Sequence, residues 1–286
     1  MTDFLLFTLY APLASWGEIA VGETRGSWDR PSRSAVLGIL AAALGIRREE
    51  QARHEMLDAG YGIAVRLDAP GATMADYHTA QTVAASIVRR RRPATRAALL
   101  NAVAPGDRQT ILSRRTYRQD ALATVAIWRR AASPPHSLEE LRHALSQPRF
   151  VLYAGRKANA LGLPLAAEVL PATTLGDALL RYAEWRRALP GAPAGARAAV
   201  SSVFDRLAPR DVGTRRVAWG REVSHDPCTD FDSGLDQHRR EVRRDAAPHR
   251  GRWQFAERIV EVGLLPEPEA EVHRSAPPAE PWEADI

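Results

Sequence analysis

Apolar positions fall into short runs separated by proline- and glycine-bearing breaks. Asp3–Tyr10 (DFLLFTLY) is an aromatic-rich apolar run of strand length, and Pro12 and Gly17 punctuate the stretch after it. Arg25–Arg33 (RGSWDRPSR) reads as a polar loop. Ser34–Gly45 (SAVLGILAAALG) predicts a helix, with Val36, Leu37, Leu40 and Leu44 on one face and Gly45 as its stop. Tyr61–Asp68 predicts a second strand ended by Pro70-Gly71. Ala121–Trp128 (ALATVAIW) predicts a third, since Leu122, Thr124, Ala126 and Trp128 alternate with Ala123, Val125 and Ile127. Ser137–Leu145 predicts a helix opened by a capping box from Ser137 to Glu140, with Leu138, Leu141 and Leu145 on one face. Phe150–Tyr153 (FVLY) predicts a fourth strand running into the turn Gly155-Arg156-Lys157.

That order predicts an α+β fold, a ferredoxin-like (RRM-like) βαββαβ domain interrupted by an insertion. Right-handed crossovers would place both helices on one face of a four-stranded sheet, leaving the other face for a ligand or a second layer. Beyond residue 165 the pattern weakens. Thr174–Leu189 reads as a helix with Thr174 and Asp177 as a cap pair, and Pro190–Ala199 as a loop. Val217–Val223, Glu241–Arg244 and Trp253–Val262 read as strands of a smaller, mostly β unit. The expected organisation is a first domain over 1–165 with an insertion at about 76–118, and a smaller C-terminal domain over 166–265. A disordered acidic tail over 266–286, with five prolines, six acids and one arginine, completes it.

Charge changes this picture. The 39 basic residues include a single lysine, Lys157, a bias that GC-rich codons would produce. Codon usage does not explain placement. Ser86–Arg118 carries Arg89, Arg90, Arg91, Arg92, Arg96, Arg108, Arg114, Arg115 and Arg118 against one acid, Asp107, while the rest of the chain is slightly acidic. A basic stretch on a near-neutral body is either a solvated charge run or the footprint of a polyanion-binding arm. No apolar run is long enough for a membrane helix. The apolar opening lacks a basic flank, so no signal peptide is expected, and the expected location is cytoplasmic, without membrane contact. One cysteine, Cys228, excludes an internal disulfide, and its spacing from His225 does not make a metal site, so no metal or cofactor is expected.

Nucleotide-binding, zincin and serine-hydrolase motifs are absent from the sequence. Two segments invite an anion instead. Arg25, Arg30, Arg33 and Ser34 precede or open the first helix, where free backbone N–H groups and guanidinium forks attract phosphate. Trp16 and Trp28 would stack on bases. The alternative reading makes Ser32 or Ser34 a simple N-cap and both tryptophans core. Tyr153–Leu165 (YAGRKANALGLPL) adds Gly155, Arg156, Lys157 and Asn159 after a strand, either a nucleic-acid contact or a β-turn at an edge. His78, in Asp76-Tyr77-His78-Thr79, precedes the basic segment.

Five segments in fixed order carry a family resemblance: LLFTLYAPLASWGE, TRGSWDRPSRSAVLGILAAALGI, DYHT, SRRTYRQDALATVAIW and YAGRKANALGLPL. Over about residues 4–165 the chain resembles the CasD family of type I-E CRISPR Cascade subunits, within the RAMP superfamily. Trp253–Ile259 is a weaker echo. The resemblance implies an RNA-binding domain with a protruding thumb, a smaller C-terminal domain, and a non-catalytic role holding the repeat-derived 5′ handle of the crRNA while capping the backbone filament. It implies contacts with the backbone, large and other Cascade subunits, and with target DNA through the assembled complex.

Carried over, Arg25–Ser34 and Tyr153–Asn159 form the handle cradle and Asp76–Arg118 the thumb, with Tyr117 beside its arginines. Single-stranded RNA is gripped through phosphates and through bases splayed onto aromatic or guanidinium planes, tasks suited to arginine. The competing function is a metal-independent endoribonuclease processing repeat RNA, with His78, Tyr153 or Tyr117, and Lys157 as acid–base and charge-stabilising groups.

Overall fold

The computed structural model describes residues 1–18, 20, 22–91, 94–191, 194–207, 216–220, 233–249 and 254–265. The acidic segment 266–286, His225, Cys228, Arg92 and Trp253 therefore lie outside the described residues.

Strand β1 (Thr2–Ala14) opens the chain. Two-residue strands β2 (Trp16–Gly17), β3 (Thr24–Arg25) and β4 (Ser27–Trp28) come next, then helices α1 (Arg33–Ala43) and α2 (Gln51–Gly60). Strand β5 (Tyr61–Ala69) continues through Pro70-Gly71 into β6 (Ala72–Thr82). Short helices α3 (Ala85–Arg91) and α4 (Arg96–Asn101) lead to the 21-residue strand β7 (Gln109–Arg129). Helix α5 (Leu138–Ser146), strand β8 (Glu168–Ala172), helices α6 (Leu175–Ala188) and α7 (Ala194–Leu207), and strands β9 (Arg216–Gly220), β10 (Asp236–His249) and β11 (Gln254–Leu264) complete the described chain.

One sheet runs in the order β10-β11-β9-β5-β7-β1-β8, with β3 and β6 also paired to β7. The four strands β5, β7, β1 and β8 pair antiparallel throughout. Both faces of this sheet are covered, which is why β1 and the inner half of β7 are continuous apolar runs. On one face Leu5, Phe7, Leu9, Val65 and Val125 pack against Leu37 and Leu40 of α1 and Leu141 and Leu145 of α5. On the other, Phe4, Leu6, Ala126 and Trp128 pack against Leu175, Leu179 and Tyr182 of α6. Alongside them Tyr10 and Leu122 meet Val200 and Phe204 of α7. The second face thus carries a helical layer and presents no open platform. Buried charge pins that layer. Arg66 donates to Asp68 (2.8 Å), to the Leu179 carbonyl (2.9 Å) and to Thr124 (3.1 Å), and Tyr182 donates to the Ala166 carbonyl (2.7 Å).

Caps form where the sequence places them. Ser137 and Glu140 exchange both bonds of a capping box. Thr174 accepts from the Asp177 N–H, although the Asp177 carboxylate returns its bond to Thr173 and not to Thr174. Gly45 (φ +74°) ends α1 in a Schellman motif, its N–H on the Ala42 carbonyl and that of Ile46 on Ala41.

Three expectations need correction. Phe150–Tyr153 is not a strand. The N–H groups of Arg149 and Phe150 donate to the Ala43 and Ala42 carbonyls, so this segment satisfies the C-terminus of α1 instead of a sheet edge. Only Tyr153 forms a bridge, with Ala160, and the fourth strand of the four is β8, past residue 165. The stretch expected as a loop at 190–199 enters α7 at Ala194, since its alanines are strong helix formers. The strands past residue 216 exist and extend the main sheet, because β9 pairs with β5.

Candidate nucleic-acid interface

The basic insertion is a two-stranded ribbon. β6 pairs with the outer half of β7 from Ala72–Gln119 to Thr82–Gln109, and α3 and α4 close its far end. At its root Asp120 takes φ +55°, and its carboxylate accepts a 2.7 Å bond from the Tyr10 hydroxyl. Register assigns side chains to faces. Arg114, Arg118 and the exposed Tyr77 share one face, while Arg115, Tyr117 and His78 share the other. Arg89 and Arg114 are exposed. Arg118 is tethered, donating to the Trp28 carbonyl (3.3 Å) and to Thr73 (3.0 Å). The backbones of Arg90 and Arg91 fall in α3. Arg25 lies on β3, which runs parallel beside Arg114 and Arg115, and its guanidinium folds back onto the Gly22 and Thr24 carbonyls.

The turn after Tyr153 meets this ribbon. Arg156 donates to the Tyr117 hydroxyl at 2.7 Å, with its guanidinium carbon 4.8 Å from the centre of the tyrosine ring. Gly155 sits at φ +85°, and a Cβ there would lie 1.8 Å from the Ser15 carbonyl oxygen, so only glycine fits. Asn159 is buried and donates to the Ala154 carbonyl (3.1 Å), which makes it the clasp of the turn and not a ligand contact. Lys157 is exposed.

The loop into α1 is turned inward. Ser32 is the N-cap, accepting from the Ala35 N–H, and Ser34 shares a 3.0 Å bond with it. Arg30 and Arg33 are only 3% and 6% exposed. Arg33 donates to the Asp58 carboxylate (2.7 Å) and to the Tyr61 carbonyl (2.9 Å), and Arg30 donates to Asp29 (2.9 Å) and Glu241. The Arg33 N–H, expected to attract phosphate, instead donates to the Asp245 carboxylate at 3.0 Å. An anion does occupy this helix N-terminus, and it belongs to the protein. Trp16 is buried in the core beside the cleft described below, and Trp28 lies under Arg243 at 4.6 Å.

This inward packing shifts acidities. Burial would raise the Asp245 carboxyl, but bonds from Arg258 at 2.6 and 3.1 Å and the Arg258 and Arg243 charges hold it below the usual carboxylate range. Glu241 is lowered likewise, Arg30 and Arg239 outweighing burial. Burial pushes Arg243 down to about 10.

A cleft of about 1510 Å³ opens between the loop after β1, the start of α1, the 150–157 strap and the β10–β11 hairpin. It brings together Trp16, Ser34, Tyr153, Gly155 and Lys157 from the expected set. Sequence reasoning missed Arg47, Arg48, Arg244 and Phe150 on its walls. The paired arginines after Gly45 were a legible signal, whereas Phe150 has the pattern of a core strand residue and is 43% exposed. His78, level with Ser113, stands four residues farther along the ribbon than the Tyr117 row, roughly 13 Å, from the Arg156 contact. The proposed acid–base set is not assembled at one point. No helix among the described residues is long and apolar enough to cross a membrane.

Residues 4–261 match the family described as CRISPR-associated protein (Cas5). The CRISPR system Cascade subunit CasD of Escherichia coli (strain K12) is 31% identical over 193 residues, spanning 64% of this chain and 78% of that protein. A solved chain of a CRISPR RNA-guided surveillance complex covers 92% of this chain, with 90% of its own length, at TM-score 0.54 and 22% identity, a likeness of fold.

Proposed function

Because the chain belongs to the Cas5 family of CRISPR-associated proteins, we propose that it is the crRNA-binding Cascade subunit of a type I-E system, acting in antiviral defence. It holds the repeat-derived 5′ handle and caps the backbone filament. The observation that carries this reading is the Arg156–Tyr117 contact, which joins the turn lining the cleft to the base of the arginine-rich ribbon. A strand of RNA can then pass from the cleft, where Arg47, Arg48, Lys157 and Arg244 stand among Glu18, Glu49 and Asp245, to the arginines of the ribbon.

The sheet order β5-β7-β1-β8, all antiparallel with α1 and α5 on one face, supports a ferredoxin-like βαββαβ core over the first part of the chain. The ribbon is its thumb, and the strands after residue 216 form a smaller C-terminal part that joins the same sheet through β9. Since α6 and α7 cover the second face, RNA is read at the edge of the sheet, in the cleft, and not on the sheet surface. Ser34, Tyr153, Gly155, Arg156 and Lys157 line or border that reading site. Arg89, Arg114 and Arg115 grip phosphates. The backbone and large subunits flank the chain in the assembled complex, target DNA reaches it only there, and the complex works in the cytoplasm. The separation of His78 from the Arg156–Lys157 turn supports a non-catalytic role.

Gel shifts with three probes test this: the 5′ handle of the organism's own repeat, a scrambled RNA of equal length, and duplex DNA. The handle is expected to bind tightest, and repeat RNA to stay intact with or without EDTA. Equal affinity for all three would reduce the chain to a nonspecific polyanion binder.

A further inference from the structure

The contact between the β10–β11 hairpin and the start of α1 leaves one cation over. Asp29, Glu241 and Asp245 supply six carboxylate oxygens there, and each already accepts a bond. Arg30 and Arg216 take those of Asp29, and Arg30 and Arg239 those of Glu241. Arg258, together with the Arg33 N–H, takes those of Asp245. Arg243 stands within reach of the Asp245, Arg30, Arg258 and Asp29 charges and is only 2% exposed, yet it takes no share in these bonds. Its Nε and Nη2 are buried and have no hydrogen-bond partner among the described residues.

Those two N–H groups form one edge of the guanidinium, the edge that holds a phosphate or carboxylate through two parallel bonds. A buried donor without an acceptor is destabilising, and a whole fork of them calls for a ligand. The Trp28 ring, 4.6 Å from the guanidinium carbon, answers part of the charge but offers no oxygen to the fork. Position says which anion is at hand. Arg244 and Asp245, next along β10, line the cleft. The Trp28 carbonyl accepts from Arg118, at the root of the ribbon. The unfilled fork therefore stands between the cleft and the ribbon.

We propose that the Nε–Nη2 edge of Arg243 is a phosphate subsite, filled by one backbone phosphate of the bound RNA where the strand leaves the cleft for the ribbon. The inference rests on the reading of cleft and ribbon as an RNA surface and adds a buried contact to it. Entry needs movement of β10. That strand is the outermost of the sheet, and its pairing with β11 slips between Arg243 and Ala246, so it is the strand with room to give. The phosphate then supplies the two acceptors that Asp29, Glu241 and Asp245 cannot spare.

The test pairs the parent chain with Arg243→Lys, which keeps the charge and loses the fork, and Arg243→Met, which loses both. Urea midpoints are first measured without RNA, in sodium phosphate and in sodium chloride of equal ionic strength. Phosphate stabilises folded chains in general by exclusion from their surface. The readout is therefore the extra rise of the parent over the two variants. Affinity for the 5′ handle is then measured over a salt series. Both variants are expected to lose the extra rise and to bind the handle about tenfold more weakly. Arg243→Met alone should also flatten the plot of log affinity against log salt by about 0.7. Arg243→Lys retains the charge beside Asp245, so it carries both readings if Arg243→Met fails to fold. An equal phosphate response in all three chains overturns the subsite. Loss of the response with unchanged handle affinity overturns its filling by RNA, and the fork then takes a free ion or the carboxylate of a protein partner. In both cases handle binding by the parent leaves the RNA reading intact. A parent that shows the extra rise but binds no RNA overturns that reading, and the filling by RNA with it.

Discussion

Gly155 holds the cleft turn by what it lacks. Its φ of +85° disfavours any side chain, and the Ser15 carbonyl oxygen fills the space a Cβ needs. Gly155→Ala is therefore expected to cost about 2 kcal/mol or more and to loosen the bond between the Ser15 N–H and the Ala154 carbonyl. Urea midpoints measure the first, and handle affinity, expected to fall with it, measures whether the turn shapes the cleft. A variant of unchanged stability would show that the strap yields freely. The sequence marks this glycine as a turn residue but leaves open a nucleic-acid contact or a plain β-turn, and the partner that demands it, the Ser15 carbonyl, lies far back in the chain. The arginines before α1 were not legible. Arg30 and Arg33 resemble phosphate ligands on paper, but Asp58 lies 25 residues away, and Glu241 and Asp245 lie 211 and 212 residues away. Only the folded chain shows that these positive groups are already answered.

At the scale of elements, the β10–β11 hairpin clamps the start of α1. Asp245 on β10 accepts from the Arg33 N–H and is gripped by Arg258 on β11 through two bonds. Its folded-state carboxyl is more acidic than the ordinary 3.8. Stabilisation by such a group is complete above the unfolded value and is lost as the pH falls through the folded one. Asp245→Asn is expected to lower stability by about 2–4 kcal/mol at pH 7, because it strips a buried carboxylate charge from Arg258 and Arg243. That deficit should shrink as the pH drops below 3.8 and the parent carboxyl protonates. Urea unfolding of both proteins at pH 7 and pH 3 measures it, and a deficit independent of pH would mean the clamp is not ionic. The strands of this clamp were only partly legible. Exposed Val242 and Ile259 pair across it, so neither strand shows a clean alternation, and their register comes from charge pairs that a hydropathy pattern does not record. β6 escaped notice for a related reason: ATMADYHTAQT buries almost nothing and is a strand only because β7 is there to pair with.

For the whole molecule, a two-faced core sets the division of labour. On the proposed reading, helices on both sides of the sheet confine RNA to the cleft and the ribbon, and the two differ in physical character. Cleft contacts are confined and partly desolvated, so they discriminate. Ribbon contacts are exposed and salt-screened, so they add affinity without preference. Replacing Arg156 and Lys157 with Ala is expected to erase most of the difference between handle and scrambled RNA while leaving the salt dependence nearly as steep. Replacing Arg89, Arg114 and Arg115 with Ala should weaken both RNAs together and flatten the plot of log affinity against log salt by about 0.7 for each phosphate no longer neutralised. Affinities of the two RNAs over a salt series separate these outcomes. If the ribbon variant loses discrimination while the cleft variant keeps it, the bases are read along the ribbon, on the face where Tyr77 stands beside Arg114, and the cleft only anchors the strand.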